Sequence, residues 1–117
     1  MKTFFNIIVA IFVLASMDSC AFLKEHTGFG GNKAEQYYNL GDVYVQHKDY
    51  RNAVKSYQKA ISINPDYAAA YYEMGIAYDK WGNIPSAIEA INKAIELKSD
   101  YTEARAYLQM LTEKQNK

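Results

Sequence analysis

The sequence has few of the residue types that catalytic and metal sites require. Its 117 residues include one cysteine and two histidines. A single cysteine forms neither an intrachain disulfide nor a cysteine-based metal site. His26 and His47 have no nucleophile and carboxylate at a recognisable spacing, and neither belongs to a metal-ligand motif. The sequence therefore predicts no catalytic residue, no metal and no cofactor, and a protein that is not an enzyme.

Charge of one sign is also lacking, since 13 basic residues balance 13 acidic residues and the pI is about 6.7. Nucleic-acid-binding domains usually carry a basic face, so we expect no nucleic-acid partner. The three glycines between Thr27 and Asn32 follow no predicted strand and precede no Gly-Lys-Ser/Thr sequence. They are therefore not a phosphate-binding loop.

No apolar run in the sequence is long enough to cross a membrane core, which needs about 20 residues. The longest run, residues 4–15, spans about a dozen residues and is broken by Asn6. Lys2 places a positive charge in front of it. This arrangement predicts a secretory signal peptide in residues 1–20. The alternative is an N-terminal membrane anchor that is never cleaved.

The lone cysteine, Cys20, comes directly after this run and is preceded by the small residue Ser19. The stretch resembles the lipobox of bacterial lipoproteins, although Asp18 departs from that pattern. The resemblance implies that Cys20 is acylated and becomes the first mature residue. With Ala21 after it, the same resemblance favours a periplasm-facing lipoprotein of the outer membrane. Cleavage after Ala21 would instead give a soluble periplasmic or secreted protein.

Residues 21–33 are rich in glycine, and we expect them to form a flexible linker. The sequence after this linker repeats itself. Residues 34–67 and 68–101 are consecutive blocks of 34 residues that share eleven identities. The identical positions in the first block are Ala34, Tyr37, Tyr38, Gly41, Tyr44, Ala53, Lys59, Ala60, Ile61, Asp66 and Tyr67. A fixed period of this length indicates a stack of repeated helical units.

Apolar spacing predicts five helices, over residues 34–47, 50–63, 67–81, 84–97 and 101–113. Asp49, Asp66 and an Asp100–Glu103 capping box are the predicted helix starts. Gly41 and Gly75 are predicted to let the paired helices approach each other. The inner face of the first helix is predicted to carry Tyr37, Leu40, Val43, Tyr44 and His47.

With these residues in place, each block resembles the tetratricopeptide repeat (TPR). The matching residues are Tyr37, Leu40, Gly41, Tyr44, Tyr50, Ala53, Tyr57, Ala60 and Pro65 in the first block, and Tyr71, Met74, Gly75, Tyr78, Ile84, Ala87, Ile91 and Ala94 in the second. The resemblance implies an all-α fold, a right-handed helical solenoid of two helix pairs closed by a C-terminal capping helix in residues 102–117. It also implies a protein–protein interaction module.

Proteins of this family bind peptides on a concave face lined by the first helix of each repeat. The resemblance places Glu35, Tyr38, Asp42, Val45, Tyr72, Ile76, Asp79 and Met110 on that face. Carboxylates beside rings and aliphatic side chains favour a peptide with apolar anchors and basic residues. Alternatively, these tyrosines pack on neighbouring repeats and the acids are simply solvated.

One subtype of the family holds a C-terminal carboxylate with basic groove residues, which this sequence replaces by Tyr38, Asp42, Glu73, Glu103 and Tyr107. That clamp is therefore not expected here. Two repeats and a cap are fewer than the three repeats usually needed for stability. The sequence thus predicts an exported, lipid-anchored adaptor for a protein or peptide partner. A self-associating envelope scaffold, and so a homo-oligomer, is the alternative.

Overall fold

The computed structural model describes residues 32–117, so the predicted signal peptide, Cys20 and nearly all of the predicted linker lie outside the described residues. The described part contains five α-helices and no strand. They are α1 (Lys33–Gln46), α2 (Tyr50–Ile63), α3 (Ala68–Trp81), α4 (Ile84–Leu97) and α5 (Thr102–Gln115). The all-α repeat fold is confirmed. The predicted limits of α2 and α4 match, and those of the other helices differ by one or two residues.

Side-chain caps start three of the helices. The Asp49 carboxylate accepts a hydrogen bond from the Asn52 backbone N–H at 3.2 Å, as predicted. The Asn32 and Asn83 side chains accept equivalent bonds at the starts of α1 and α4. Each cap satisfies a backbone donor that has no partner within the helix.

The predicted caps of α3 and α5 are wrong. Tyr67 and Tyr101 occupy the N-cap positions, and neither makes a side-chain capping bond. Asp66 and Asp100 lie one residue before these positions. The two tyrosine rings pack on Tyr38 and Tyr72, so ring packing holds these helix starts in place of a carboxylate.

Successive helices pack on one another, α1 on α2, α2 on α3, α3 on α4 and α4 on α5, and α1 also touches α3. This nearest-neighbour order is that of a stacked repeat array. The close approach within each pair depends on the glycines. A Cβ atom at Gly41 would lie 2.5 Å from the Tyr57 ring, and one at Gly75 would lie 2.6 Å from Ile91 Cδ1. The predicted role of both glycines is confirmed.

The core consists of two clusters that link the helices. The first joins α2 to α3 and α4 through buried side chains that include Val54, Tyr57, Met74 and Ala77. The second joins α4 to α5 through Ile91 and Leu111, with smaller alanines between them. Tyr57, Ile91 and Leu111 are the largest fully buried side chains of the described residues. One large residue thus anchors each of α2, α4 and α5.

One predicted inner face is wrong in part. Leu40 and Val43 on α1 are 41% and 45% exposed, and His47 is exposed just beyond the end of the helix. The residues 34 positions later, Met74 and Ala77, are 9% and 0% exposed. The reason is that α2 precedes α3 and covers its face, whereas no helix of the described residues precedes α1.

Candidate partner-binding face

The eight predicted groove residues lie on the first helix of each block and on α5. Four are on α1, three on α3 and one on α5. We call the surface that these residues define the groove face. Its members are Glu35, Tyr38, Asp42, Val45, Tyr72, Ile76, Asp79 and Met110.

Tyrosine rings form two clusters on this face. In the first tyrosine cluster, the Tyr38 ring stacks on Tyr67 with centroids 5.1 Å apart and lies 5.8 Å from the Tyr57 ring. In the second, the Tyr72 ring lies 5.0 Å from Tyr101 and meets Tyr107 edge-on at 6.1 Å. The Tyr38–Tyr67 and Tyr72–Tyr101 pairs are the same contact, one repeat apart. Both tyrosines predicted for the groove therefore also pack within the stack.

Asp42 is held by the interior of the first repeat. Its carboxylate accepts a hydrogen bond of 2.6 Å from the hydroxyl of the fully buried Tyr57. Burial, and then this bond, raise the pKa of Tyr57, so the phenol stays protonated as the donor. The second repeat has Ile76 and Ile91 at these two positions, so it fills the same crossing with aliphatic side chains.

Asp79 ties α3 to the capping helix. Its side chain is 8% exposed and accepts hydrogen bonds from the Tyr107 hydroxyl at 2.7 Å and from Lys114 Nζ at 2.6 Å. Burial opposes ionisation of Asp79, but the two hydrogen bonds outweigh burial and hold its pKa below the usual value. Asp79 therefore links α3 to α5.

The other predicted groove residues differ in accessibility. Glu35 is exposed, and Met110 is 44% exposed. Ile76 is partly buried, while Val45 packs against the core between α2 and α3. The parts of the groove face that a partner can reach most directly are thus Glu35 and Met110, whereas Tyr38 and Tyr72 are partly buried.

Glu73 also belongs to this region, although the sequence analysis named it only as a replacement for a basic clamp residue and did not place it among the eight groove residues. It is partly buried, and its side chain makes no hydrogen bond or ion pair with any residue in the part of the chain that the structure describes, so its carboxylate oxygens reach water. Burial and then the charge of Asp42 raise its pKa, against a smaller opposite effect from Lys80. The signal in the sequence was a carboxylate directly beside Tyr72, at a position where the first block has Asn39.

Glu73 is within electrostatic range of both tyrosine clusters. Burial is the main cause that raises the pKa of these tyrosines, and the charge on Glu73 adds to it at Tyr38, Tyr57, Tyr72, Tyr101 and Tyr107. The charge of Glu73 is thus felt by tyrosines of both repeats.

Other faces of the helices carry open grooves. A groove of about 840 Å³ lies between α3 and α4 and includes Tyr71, Tyr78 and Lys93 in its walls. A smaller one, of about 410 Å³, lies at the corresponding place between α1 and α2 and includes Tyr37 and Lys59. Neither groove shares a lining residue with the groove face. The two grooves lie one repeat apart because lining residues such as Tyr37 and Tyr71 occupy equivalent positions in the two blocks.

Residues 32–117 contain neither a metal-site cluster nor a membrane-spanning helix. No three residues of the types His, Cys, Asp and Glu are grouped so as to hold a metal ion there. No helix in that range combines the length and the apolarity needed to cross a membrane.

Comparisons with known proteins find repeats of one kind. A family profile described as "TPR repeat" matches residues 41–82, and one described as "Tetratricopeptide repeat" matches residues 68–101. No protein of the curated collection matches the chain.

Among solved structures, one titled "Crystal structure of MamA" is 34% identical with a TM-score of 0.71, and the match covers 73% of this chain and 50% of that one. Another, titled "Crystal structure of MamA protein", is 32% identical with a TM-score of 0.70, and covers 85% of this chain and 54% of that one. This chain therefore spans about half the length of the solved chains that it resembles.

Proposed function

Because this chain carries tetratricopeptide repeats, which generally mediate contacts between proteins, we propose that it is a non-enzymatic interaction module. It binds a peptide segment of a partner protein on the groove face. Stacked repeats of this kind use such extended surfaces for binding. The observation that carries the proposal is that Tyr38 and Tyr72, at equivalent positions of the two repeats, each anchor a cluster of tyrosine rings.

The other residues that the two blocks share serve mainly to pack the helices together. Gly41 and Gly75 admit the neighbouring helix, and the alanine pairs Ala53/Ala87 and Ala60/Ala94 are buried. Tyrosine is enriched in the residues that contribute most to binding, because its ring buries a large area and its hydroxyl can hydrogen-bond. The groove face supplies such rings together with the exposed Glu35 and Met110.

Substitutions at exposed groove residues test the binding surface without disturbing the core. We expect Glu35→Lys combined with Met110→Glu to reduce recovery of the crosslinked partner from the native host several-fold. Glu89→Lys on α4 is the matched control, since Glu89 is exposed and lies off the groove face. Binding on the groove face would be contradicted if the unmodified protein, the double variant and Glu89→Lys all recovered the same amount of partner. Each protein must have an unchanged melting temperature for this comparison.

We further propose that the module is exported and held at a bacterial envelope by an acylated Cys20, facing the periplasm from the outer membrane. The support is the short apolar run of residues 4–15 followed by the only cysteine. Several acyl chains anchor a protein stably where one chain does not. Cys20→Ala is expected to release the protein from the membrane fraction or to block its processing. Unchanged fractionation, with a mature N-terminus at Phe22, would overturn the anchor.

A second candidate function is self-association, which the uncovered face of α1 favours. Leu40 and Val43 are exposed there, although their repeat equivalents are buried. A second copy that covered this face would remove both side chains from water. Size-exclusion chromatography with light scattering on residues 32–117 tests it, with Leu40→Lys as the variant. If residues 32–117 are strictly monomeric at high concentration, the proposed self-association is wrong.

A further inference from the structure

We propose that the groove between α1 and α2 is a second binding surface, which takes an acidic segment of a partner protein. Lys55 and Lys59 in its walls bind the aspartate or glutamate side chains of that segment. None of the residues that line this groove belongs to the groove face, so the inference goes beyond the proposed function and does not depend on it.

The first support is the charge of the groove. Lys55 and Lys59 lie in its walls, and no aspartate or glutamate does. Both lysines are exposed, and neither forms an ion pair with any of the residues 32–117. Asp49, the acid at the start of α2, uses both carboxylate oxygens to accept hydrogen bonds from Asn52. The positive charge of the groove is therefore left for another molecule to neutralise.

The second support is the corresponding groove between α3 and α4, which has the same place in its repeat but a different charge. Glu89 stands there at the position of Lys55. Lys93, at the position of Lys59, forms an ion pair of 3.1 Å with Glu96. The walls of that groove thus hold two acids and one paired lysine. Packing of the helix pair does not require the two lysines of the first groove, since the second pair forms without them.

The third support is the position of the Lys59 ammonium group. Lys59 Nζ lies 5.4 Å from the centroid of the Tyr37 ring, which is a cation–π distance. This contact holds the ammonium group at the wall of the groove. Ser56 and Ser62, which also line the groove, donate their hydroxyl hydrogens to carbonyl oxygens of α2. The ammonium groups are therefore the main donors that the groove offers to a carboxylate.

The size and lining of the groove favour a protein segment over a membrane surface. Its volume of about 410 Å³ is within the range of pockets that enclose small ligands. Leu40, which is 41% exposed, and the rings of Tyr37 and Tyr44 add apolar surface to it. Sequences that bind anionic membranes carry about four to eight clustered basic residues, whereas this groove has two. A segment that presents a carboxylate next to an apolar side chain complements both features.

The experiment uses the full chain in detergent at low ionic strength and pools of fluorescent decapeptides. Each pool has leucine at one central position and glutamate, glutamine or lysine at the next, with random residues elsewhere. We expect the glutamate pool to bind about fivefold more tightly than the glutamine pool, and the lysine pool to bind most weakly. High salt should reduce the difference, because exposed charges are screened.

Two variants that change the net charge equally locate the binding. Lys55→Glu introduces the residue that the second repeat has at this position and should remove the preference for glutamate. Lys93→Glu, the matched control in the groove between α3 and α4, should retain it. Both positions are exposed, so circular dichroism is expected to show an unchanged fold for each variant.

Three results would overturn the inference. The first is equal binding of all pools, and the second is a preference for glutamate that survives in Lys55→Glu or is lost equally in Lys93→Glu. The third is a dimer of the unmodified chain in light scattering that Lys55→Glu converts to a monomer, because a second copy would then occupy the groove. None of these results bears on the groove face, whose residues are unchanged in both variants.

Discussion

Helices α1 and α3 occupy the same place in their repeats but differ in what covers them. α3 lies between α2 and α4, whereas among the described residues no helix precedes α1 to cover its other side. Leu40 on α1 is consequently 41% exposed, and Met74, one period later on α3, is 9% exposed. In a stacked protein, the burial of a side chain follows from its neighbours in the stack as much as from its place in the repeat.

Truncating these two equivalent side chains gives the largest expected effect. Met74→Ala should lower the free energy of unfolding by about 2–5 kcal/mol, because it removes a buried side chain and leaves a cavity. Leu40→Ala, the matched control, should lower it by less than about 1 kcal/mol, since much of Leu40 already contacts water. Urea denaturation measures both. Equal losses would mean that a partner or a second copy covers α1 in solution.

A second test compares two acids of α3, Asp79 and Glu73. Asp79→Asn should lower the free energy of unfolding at neutral pH by about 1 kcal/mol, because it weakens the link to Tyr107 and Lys114. The pKa of Asp79 is depressed in the folded state, so its stabilisation is present above the unfolded pKa of about 3.9 and is lost as the pH falls through the folded value. Melting curves from neutral to acidic pH measure this loss. An Asp79→Asn variant that loses as much stability in acid as the parent would contradict the role of Asp79.

The smallest expected change in the free energy of unfolding is an increase, whereas the preceding variants lower it. Glu73→Gln should raise the free energy of unfolding at neutral pH by about 0.5 kcal/mol, because it removes an unpaired charge. The pKa of Glu73 is raised in the folded state, so its destabilisation is present above that pKa and disappears as the pH falls below the unfolded value. The gain of the variant should therefore vanish in acid. A loss of stability in Glu73→Gln at neutral pH would show that Glu73 has a partner that stabilises it.

The features that the sequence predicted well are those fixed by local spacing. The 34-residue period, the limits of α2 and α4 and the close approach at Gly41 and Gly75 all follow from residue types at fixed intervals. Such signals lie within one helix or one helix pair. A single sequence therefore carries them directly.

The features that the sequence analysis missed depend on contacts between residues that are distant in the sequence. Asp66 looked like a helix cap, but the ring of Tyr67 packs on Tyr38 and moves the helix start by one residue. Nothing in the sequence indicated the bonds that Asp79 makes, because its partners Tyr107 and Lys114 lie 28 and 35 residues further on. Glu73 was named from the sequence only as a replacement for a basic clamp residue, and its partial burial and raised pKa follow from the structure alone. No local pattern carries this information.

The most direct test of the groove face is photo-crosslinking in the native host. A benzoylphenylalanine residue is placed at Met110 on the groove face in one strain and at Glu89 on α4 in another, since both positions are exposed. We predict an adduct with a partner protein from position 110 that is several-fold more abundant than any adduct from position 89. Equal adducts from both positions, or adducts with a second copy of this chain alone, would contradict partner binding on the groove face.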